Sequence, residues 1–373
     1  AQLTQLAAQI KGCAKGLVVI GSVSLEQAQA ARAFAERLGW PVLADPQSGV
    51  STPWQHYDIW LQSDECAATL ASSELIVQFG ARLVSKRLLA WIKQQVNVQS
   101  ADYWLIEPSV TVLNPDHLAQ QRIRADICDS LDQLQGQLSI SARLEAGKDT
   151  LSSDALSLAA RCQRQFPVWS NHDVLTECQF AQRLPELLNQ TPSADLFLGN
   201  SLIVRLVDML TCLPDCEVFT NRGASGIDGL LATAVGVQRA RQSMQLCILG
   251  DTSTLYDLNS LALLSQTSQP FVLVVLNNDG GAIFDLLPVP DAQKKTLYQM
   301  PHGFEFSGAA QQFQLNYGLV QTFEQIMTKI KAYQNAFKQN QTHSGLILEL
   351  QTPSGQAGQD LQAIVKAVTH HVS

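Results

Sequence analysis

The sequence is poor in several features that would fix a function class at once. Its eight cysteines, at 13, 66, 128, 162, 178, 212, 216 and 247, form no Cys-x-x-Cys pair, and no histidine stands near Cys212 and Cys216 to complete a zinc set. Metal chemistry built on Cys or His is therefore not expected, and the scattered thiols read as reduced core residues of a cytoplasmic protein. No apolar run reaches the roughly 18 residues that a membrane-spanning helix needs. Positive charge is in deficit, with 25 Lys+Arg against 33 Asp+Glu and a net charge of −8. Nucleic-acid binding needs a basic stripe, so no nucleic-acid partner is expected. No Gly-x-Gly-x-x-Gly follows an apparent strand, GLVVIGS at 16–22 included, which argues against a dinucleotide-dependent oxidoreductase. The chain also opens AQLTQLAAQI without a methionine or a signal-peptide pattern, as a fragment or a processed product would.

What is present is an ordinary globular composition. With 373 residues, 46% hydrophobic and 16% charged, the chain suits two or three folded domains. Apolar runs at 16–22, 40–45, 74–80 and 103–108 read as buried strands, and amphipathic stretches at 25–38 and 85–95 read as the helices between them. From 136 to 153, GQLSISARLEAGKDTLSS loses strand character. A second series follows, with strands at 195–201, 217–223, 245–251, 270–278 and 345–350 and helices at 226–240 and 256–266. Strand–helix alternation of this kind predicts an α/β fold with two doubly wound parallel-sheet domains. The boundaries read as a central Rossmann-like domain at 1–145, a linker at 146–160 and a second domain at 161–373.

Two strands of the second series end in unusual residues. One ends in Gly250-Asp251; the other runs into LVVLNNDGGAIF at 273–284, where an apolar strand stops at two asparagines, an aspartate and two glycines. Polar turn residues alone would account for that stop. Ligands of open α/β sheets, however, bind at the carboxyl ends of strands. Asp251 and Asn278 are 27 residues apart, room for one helix and one strand, so both can reach one point. A hard divalent cation such as Mg²⁺ wants oxygen ligands and usually a shared phosphate. Asp251 offers charge, Asn278 a neutral oxygen and Gly280 a backbone carbonyl, while Gly280 and Gly281 let the backbone approach a phosphate. Four cations, Lys86, Arg87, Arg205 and Arg222, fall at loops on the ligand side of the two expected sheets, and Ser201 lies one helical turn before Arg205. Guanidinium groups hold carboxylates bidentately, which suggests substrates carrying several carboxylates.

The segments GNSLIVR (199–205), NRGASGIDGLLATA (221–234), GDTSTLYDLNSLALL (250–264) and LNNDGGAIFDLLP (276–288) resemble the MenD family, the 2-succinyl-5-enolpyruvyl-6-hydroxy-3-cyclohexene-1-carboxylate (SEPHCHC) synthases of menaquinone biosynthesis. These are thiamin diphosphate enzymes, and the resemblance runs along the whole chain. It implies a transferase that decarboxylates 2-oxoglutarate and adds the succinyl unit to isochorismate. Residues 161–373 would then be the family's diphosphate-binding (PP) domain. Carried over position by position, Asp251, Asn278 and the Gly280 carbonyl would hold Mg²⁺ or Mn²⁺. Ser253 and Gly281 would contact the diphosphate. Ile227, Ile283 and Phe284 would shape the cofactor pocket. Ser201, Arg205 and Arg222 would act in catalysis, and Lys86, Arg87 and Leu287 would meet substrate. Thr252 stands where the general thiamin motif has Gly, and Asp279 where Asn is commoner. The resemblance further implies that the family's pyrimidine-binding domain precedes this chain, that the full-length enzyme is a homodimer or homotetramer, and that these residues alone are inactive. Two other readings stand beside this one: a 2-oxo acid decarboxylase of the acetolactate synthase type, and a folded but non-catalytic fragment.

Overall fold

A computed structural model of the chain describes residues 1–138, 150–166, 174–286, 290 and 293–370. It divides into two compact units. The first contains Ala1–Phe166, the short segment Cys212–Asp215 and the end of the chain from Ile364; the second contains the rest.

The first unit is built on β1 (Gly16–Ile20), β2 (Val42–Ala44), β3 (Leu75–Phe79), β4 (Asp102–Glu107) and β5 (Gln121–Arg124). All pairings are parallel, in the order β2-β1-β3-β4-β5. Every residue of β1 and β3 is buried, as strands covered on both faces must be. The helix Leu25–Leu38 starts at a capping box of Ser24 and Gln27 and stops at Gly39 in the left-handed region, so its ends are set by local sequence. The helix Lys86–Asn97 is capped by the Ser85 hydroxyl, which accepts from the backbone N–H of Leu88.

The second unit holds β6 (Ala194–Leu198), β7 (Val218–Thr220), β8 (Met244–Gly250), β9 (Phe271–Asn277), β10 (Asn316–Val320) and β11 (Leu346–Gln351). The order is β10-β11-β9-β8-β6-β7, again all parallel. One layer of its core packs Phe197, Cys247, Leu273, Val275 and Ile347 against Leu231 and Leu264. Within this sheet Glu349 is fully buried, and three donors hold its carboxylate: Asn277 Nδ2 at 2.7 Å, the Phe306 N–H at 2.9 Å and the Tyr317 hydroxyl at 2.8 Å. Burial, and then the hydrogen bond to that carboxylate, push the Tyr317 pKa up.

The α/β class with two doubly wound parallel sheets is therefore correct, and the differences are local. β5 and β10 were not anticipated. Both are edge strands with partly exposed residues, QRIR and NYGLV, so neither carries the apolar run that marks a buried strand. The helix expected at 226–240 begins at Leu230, because Ser225 (φ 57°) and Gly229 (φ 67°) turn the preceding loop through the left-handed region. The stretch expected as helix at 256–266 tightens into a 3₁₀ helix over Leu258–Leu264. Of the linker expected at 146–160, residues 146–149 lie outside the described residues; 150–160 belong to a helix, Thr150–Gln165, which buries Leu158, Ala159 and Cys162.

In each sheet one strand has its sequence successors on opposite sides. β1 lies between β2 and β3, and β6 lies between β7 and β8. Such a topological switch point is where open α/β sheets form a crevice.

Candidate functional site

β8 pairs with β9 so that Gly250 sits opposite Leu276, and the residues that follow emerge together at the carboxyl edge of the sheet. Asp251 is 1% exposed. Its Oδ1 accepts the Thr252 N–H at 2.5 Å and its Oδ2 accepts the Gly280 N–H at 2.8 Å. His302 Nε2 lies 3.2 Å from the same Oδ2. Because His302 Nδ1 accepts the Phe304 N–H at 3.0 Å, the ring proton is on Nε2 and points at Asp251. Burial raises the Asp251 pKa, and the two backbone donors and His302 oppose that shift.

Asn278 is 5% exposed. Its Nδ2 donates to Glu177 Oε1 at 3.0 Å, while its Oδ1 is buried with no hydrogen-bond partner. Burial pushes the Glu177 carboxyl up to about 7; the Asn278 bond pulls it back, and the charges of Asp251 and Asp285 add to the rise. Gly280 has φ 128°, and a Cβ there would come within 2.1 Å of the Gln299 carbonyl, so this position accepts only glycine. The next N–H, of Gly281, donates to that same carbonyl at 2.7 Å. Asp279 has φ 62° and its Oδ1 accepts two N–H groups, from His302 at 2.8 Å and Gly303 at 2.7 Å. These bonds lower its pKa and give the aspartate a local reason to stand there.

The end of β6 supplies the other wall. Ser201 has φ 76° and ψ −130°, a strained backbone for a residue with a Cβ, costing on the order of 1–3 kcal/mol. Its carbonyl accepts from Arg205 Nη1. Asn200 links the two arginine-bearing segments: its Nδ2 donates to the Asn221 carbonyl at 2.9 Å, and its Oδ1 accepts from Arg222 Nη1 at 3.4 Å.

Ser201, Arg205, Arg222, Ile227, Asp251, Ser253, Asn278, Gly280, Gly281, Ile283 and Phe284 all line one cavity of about 540 Å³. Its walls combine two guanidinium groups, two buried acids, an unsatisfied amide oxygen and apolar side chains. Such a set can take a divalent cation together with an anionic group and an apolar ring. Phe284 stacks edge-on against Tyr298, ring centroids 5.2 Å apart. Leu287 lies outside the described residues. Lys86 and Arg87 belong to the first unit, at the start of the helix Lys86–Asn97, where Arg87 pairs with the buried Asp58 at 2.7 Å. Glu177, Asn200, Tyr298 and His302 also line the cavity and were missed from sequence. Glu177 reads as an ordinary first-turn acid in Thr-Glu-Cys-Gln, and nothing local marks it.

Among the described residues no group of three or more His, Cys, Asp or Glu could hold a metal ion, so a cation here would depend on the amide and carbonyl oxygens. No described helix is long and apolar enough to cross a membrane.

Residues 5–198 match a family model described as "Middle domain of thiamine pyrophosphate", and residues 206–346 match "Thiamine pyrophosphate enzyme, C-terminal TPP binding domain". The chain is 48% identical over 355 residues to a 2-succinyl-5-enolpyruvyl-6-hydroxy-3-cyclohexene-1-carboxylate synthase of Vibrio cholerae, covering 94% of this chain and 60% of the relative. It is 47% identical over 361 residues to the synthase of that name from Vibrio parahaemolyticus, covering 95% and 60%. The chain thus spans about 60% of the length of the curated relatives it matches. A solved structure of a putative thiamin diphosphate-dependent enzyme from Mycobacterium smegmatis superimposes with a TM-score of 0.62 at 17% identity, covering 94% of this chain and 64% of that one, which speaks for the fold.

Proposed function

The chain belongs to the SEPHCHC synthase family of thiamine pyrophosphate enzymes, and from that premise we propose that its second unit grips the cofactor diphosphate through a divalent cation. Asp251, Asn278 and the Gly280 carbonyl would hold Mg²⁺ or Mn²⁺, and the backbone at Ser253 and Gly281 would meet the diphosphate. The observation that carries this reading is Asn278 Oδ1, buried and unpartnered in the same cavity as Asp251. Leaving such an acceptor unsatisfied costs about 1–3 kcal/mol, which an oxygen-seeking cation would recover. The glycine-only backbone at Gly280 fits a close approach by the diphosphate.

Bound thiamin diphosphate supplies an electron sink for decarboxylation and carbon–carbon bond formation. The chain's own residues do the remaining work. Ile227, Ile283 and Phe284 wall the ring side of the cavity and exclude water. Arg205 and Arg222, tied through Ser201 and Asn200, present guanidinium groups to carboxylates. The substrates we propose are 2-oxoglutarate and isochorismate, both dianions, giving SEPHCHC. Lys86, Arg87 and Leu287 would contribute to substrate binding. The division into a central domain at 1–145 and a diphosphate domain at 161–373, a cytoplasmic location and a homodimeric or homotetrameric full-length enzyme belong to the same proposal.

The test is turnover of 2-oxoglutarate with isochorismate by the full gene product, with thiamin diphosphate and Mg²⁺ present and product read by mass spectrometry. Residues 1–373 alone are expected to give no turnover. Arg222→Ala should lower kcat/KM by roughly 10–100-fold, the worth of a charged hydrogen bond, with cofactor affinity nearly unchanged. Loss of cofactor affinity with substrate KM intact would refute the role of Arg222. Product from pyruvate but none from isochorismate would refute the substrate assignment.

A further inference from the structure

Two acids line the cavity, Asp251 and Glu177. The proposed function uses Asp251 and leaves Glu177 without a task. Glu177 is the first residue of the helix Glu177–Gln190, but it does not cap it: the capping box is closed by Thr176 and Gln179. Its side chain is instead turned inward, 4% exposed, and accepts from Asn278 Nδ2 at 3.0 Å across 101 residues of chain.

That contact decides something about Asn278. A carboxamide can lie either way round, offering oxygen in one orientation and an NH₂ group in the other. A cation accepts the first and rejects the second. A carboxylate cannot donate, so the amide edge facing Glu177 must be Nδ2. The other edge, Oδ1, is then the buried atom with no partner. Two independent observations thus meet on one side chain: an acceptor that fixes one end, and an orphaned oxygen at the other.

We infer that Glu177 is a positioning residue, which holds the Asn278 carboxamide so that Oδ1 rather than Nδ2 is offered to the cation. This deepens the cation reading above and rests on it. Partners that orient metal ligands typically change metal affinity by about 10–100-fold when removed. An acid at a helix start, with no metal contact of its own, would thereby set the affinity of the site.

The experiment measures Mn²⁺ affinity by electron paramagnetic resonance in the presence of thiamin diphosphate, using the full gene product and a set of variants, with thermal melting of each metal-free protein alongside. Glu177→Leu should weaken Mn²⁺ binding by about 10–100-fold. Glu177→Gln should stay close to wild type, because its Oε1 still accepts from Nδ2. In Asn278→Asp there is no orientation left to choose, since both side-chain oxygens are acceptors, and Glu177 now faces a like charge. Adding Glu177→Leu to Asn278→Asp should therefore raise Mn²⁺ affinity, the reverse of its effect in wild type. Should Glu177→Leu fail to fold, Glu177→Ala is put through the same pair of backgrounds. A purely structural role for Glu177 would lower affinity in both backgrounds in step with melting temperature, and that result overturns the inference. So does wild-type affinity in Glu177→Leu. Failure of the wild-type protein itself to bind Mn²⁺ with thiamin diphosphate overturns the cation reading instead, so the two failures are distinct.

Discussion

The two sheets reach the same topological switch and do opposite things there. In the first unit the gap between β1 and β3 is filled by backbone. The Gly21 N–H donates to the Phe79 carbonyl at 2.8 Å, and a Cβ on Gly21 would stand 2.6 Å from the carbonyl oxygens of Gly80 and Arg82. In the second unit the chain leaving β6 and the chain leaving β8 diverge, and the cavity lies between them, lined by Asn200, Ser201, Gly250 and Asp251. Each sheet also has a buried aspartate just past a strand. Asp45, after β2, is fully buried and accepts the N–H groups of Gln47 at 3.0 Å and Val84 at 2.5 Å, so its charge organises its own loop. Asp251 also binds backbone donors, yet it borders an open cavity and an amide oxygen with no partner. A switch point is thus a place where a crevice can form; whether one does depends on how closely the two backbones approach.

The largest effect that would sharpen this contrast concerns Glu349. Glu349→Leu strands three buried donors and should destabilise the second unit by about 3–5 kcal/mol. Hydrogen exchange would read it: amides of β9 to β11 should lose protection while those of β1 to β4 keep theirs. Equal loss in both units would mean that they unfold as one.

The paired aspartates come next. Asp251→Asn should weaken Mn²⁺ binding with thiamin diphosphate by on the order of 10²-fold. Asp45→Asn should leave that affinity unchanged and cost the first unit about 1–3 kcal/mol through its unsatisfied backbone donors, measured by urea denaturation. Exchange of these two phenotypes would break the comparison.

A methyl group probes the two gaps directly. Gly21→Ala overpacks a closed gap and should cost about 1–3 kcal/mol. A Cβ on Gly250 meets nothing within 4 Å, so Gly250→Ala should be close to neutral in melting temperature, and any effect it has should fall on diphosphate affinity.

The smallest effect is a pH dependence confined to the first unit. The Arg32 hydrogen bond holds the Asp215 carboxyl below its ordinary range, with Gln29 assisting and burial opposing. A depressed folded pKa means that the pair's contribution is present above the unfolded value near 3.9 and is lost as pH falls through the folded value. Both partners are partly exposed, so Asp215→Asn should cost no more than about 1 kcal/mol at neutral pH. Urea midpoints of wild type and variant should converge down the acid limb; a gap that widens instead would contradict the ion pair.

The sequence by itself determined the class of the fold and the address of the site. Buried parallel strands must be apolar along their whole length, so β1, β3, β8 and β9 announce themselves. Where such a run stops at Gly250-Asp251 or Asn277-Asn278, the stop marks a carboxyl edge. Residues adjacent in chain to those stops, such as Gly280, Ser253 and Ser201, were legible for the same reason, and the resemblance added Ile227, Ile283 and Phe284. The edge strands β5 and β10 were not legible, because a half-exposed strand has no apolar run to recognise. Nor were Glu177 and His302. Glu177 reaches Asn278 across 101 residues and His302 reaches Asp251 across 51, and neither approach leaves a periodic trace in the chain. Local periodicity encodes which element a segment becomes and where it ends. Which side chain from a distant element then orients a ligand is decided by packing, since closing those loops brings together residues that no short-range pattern relates.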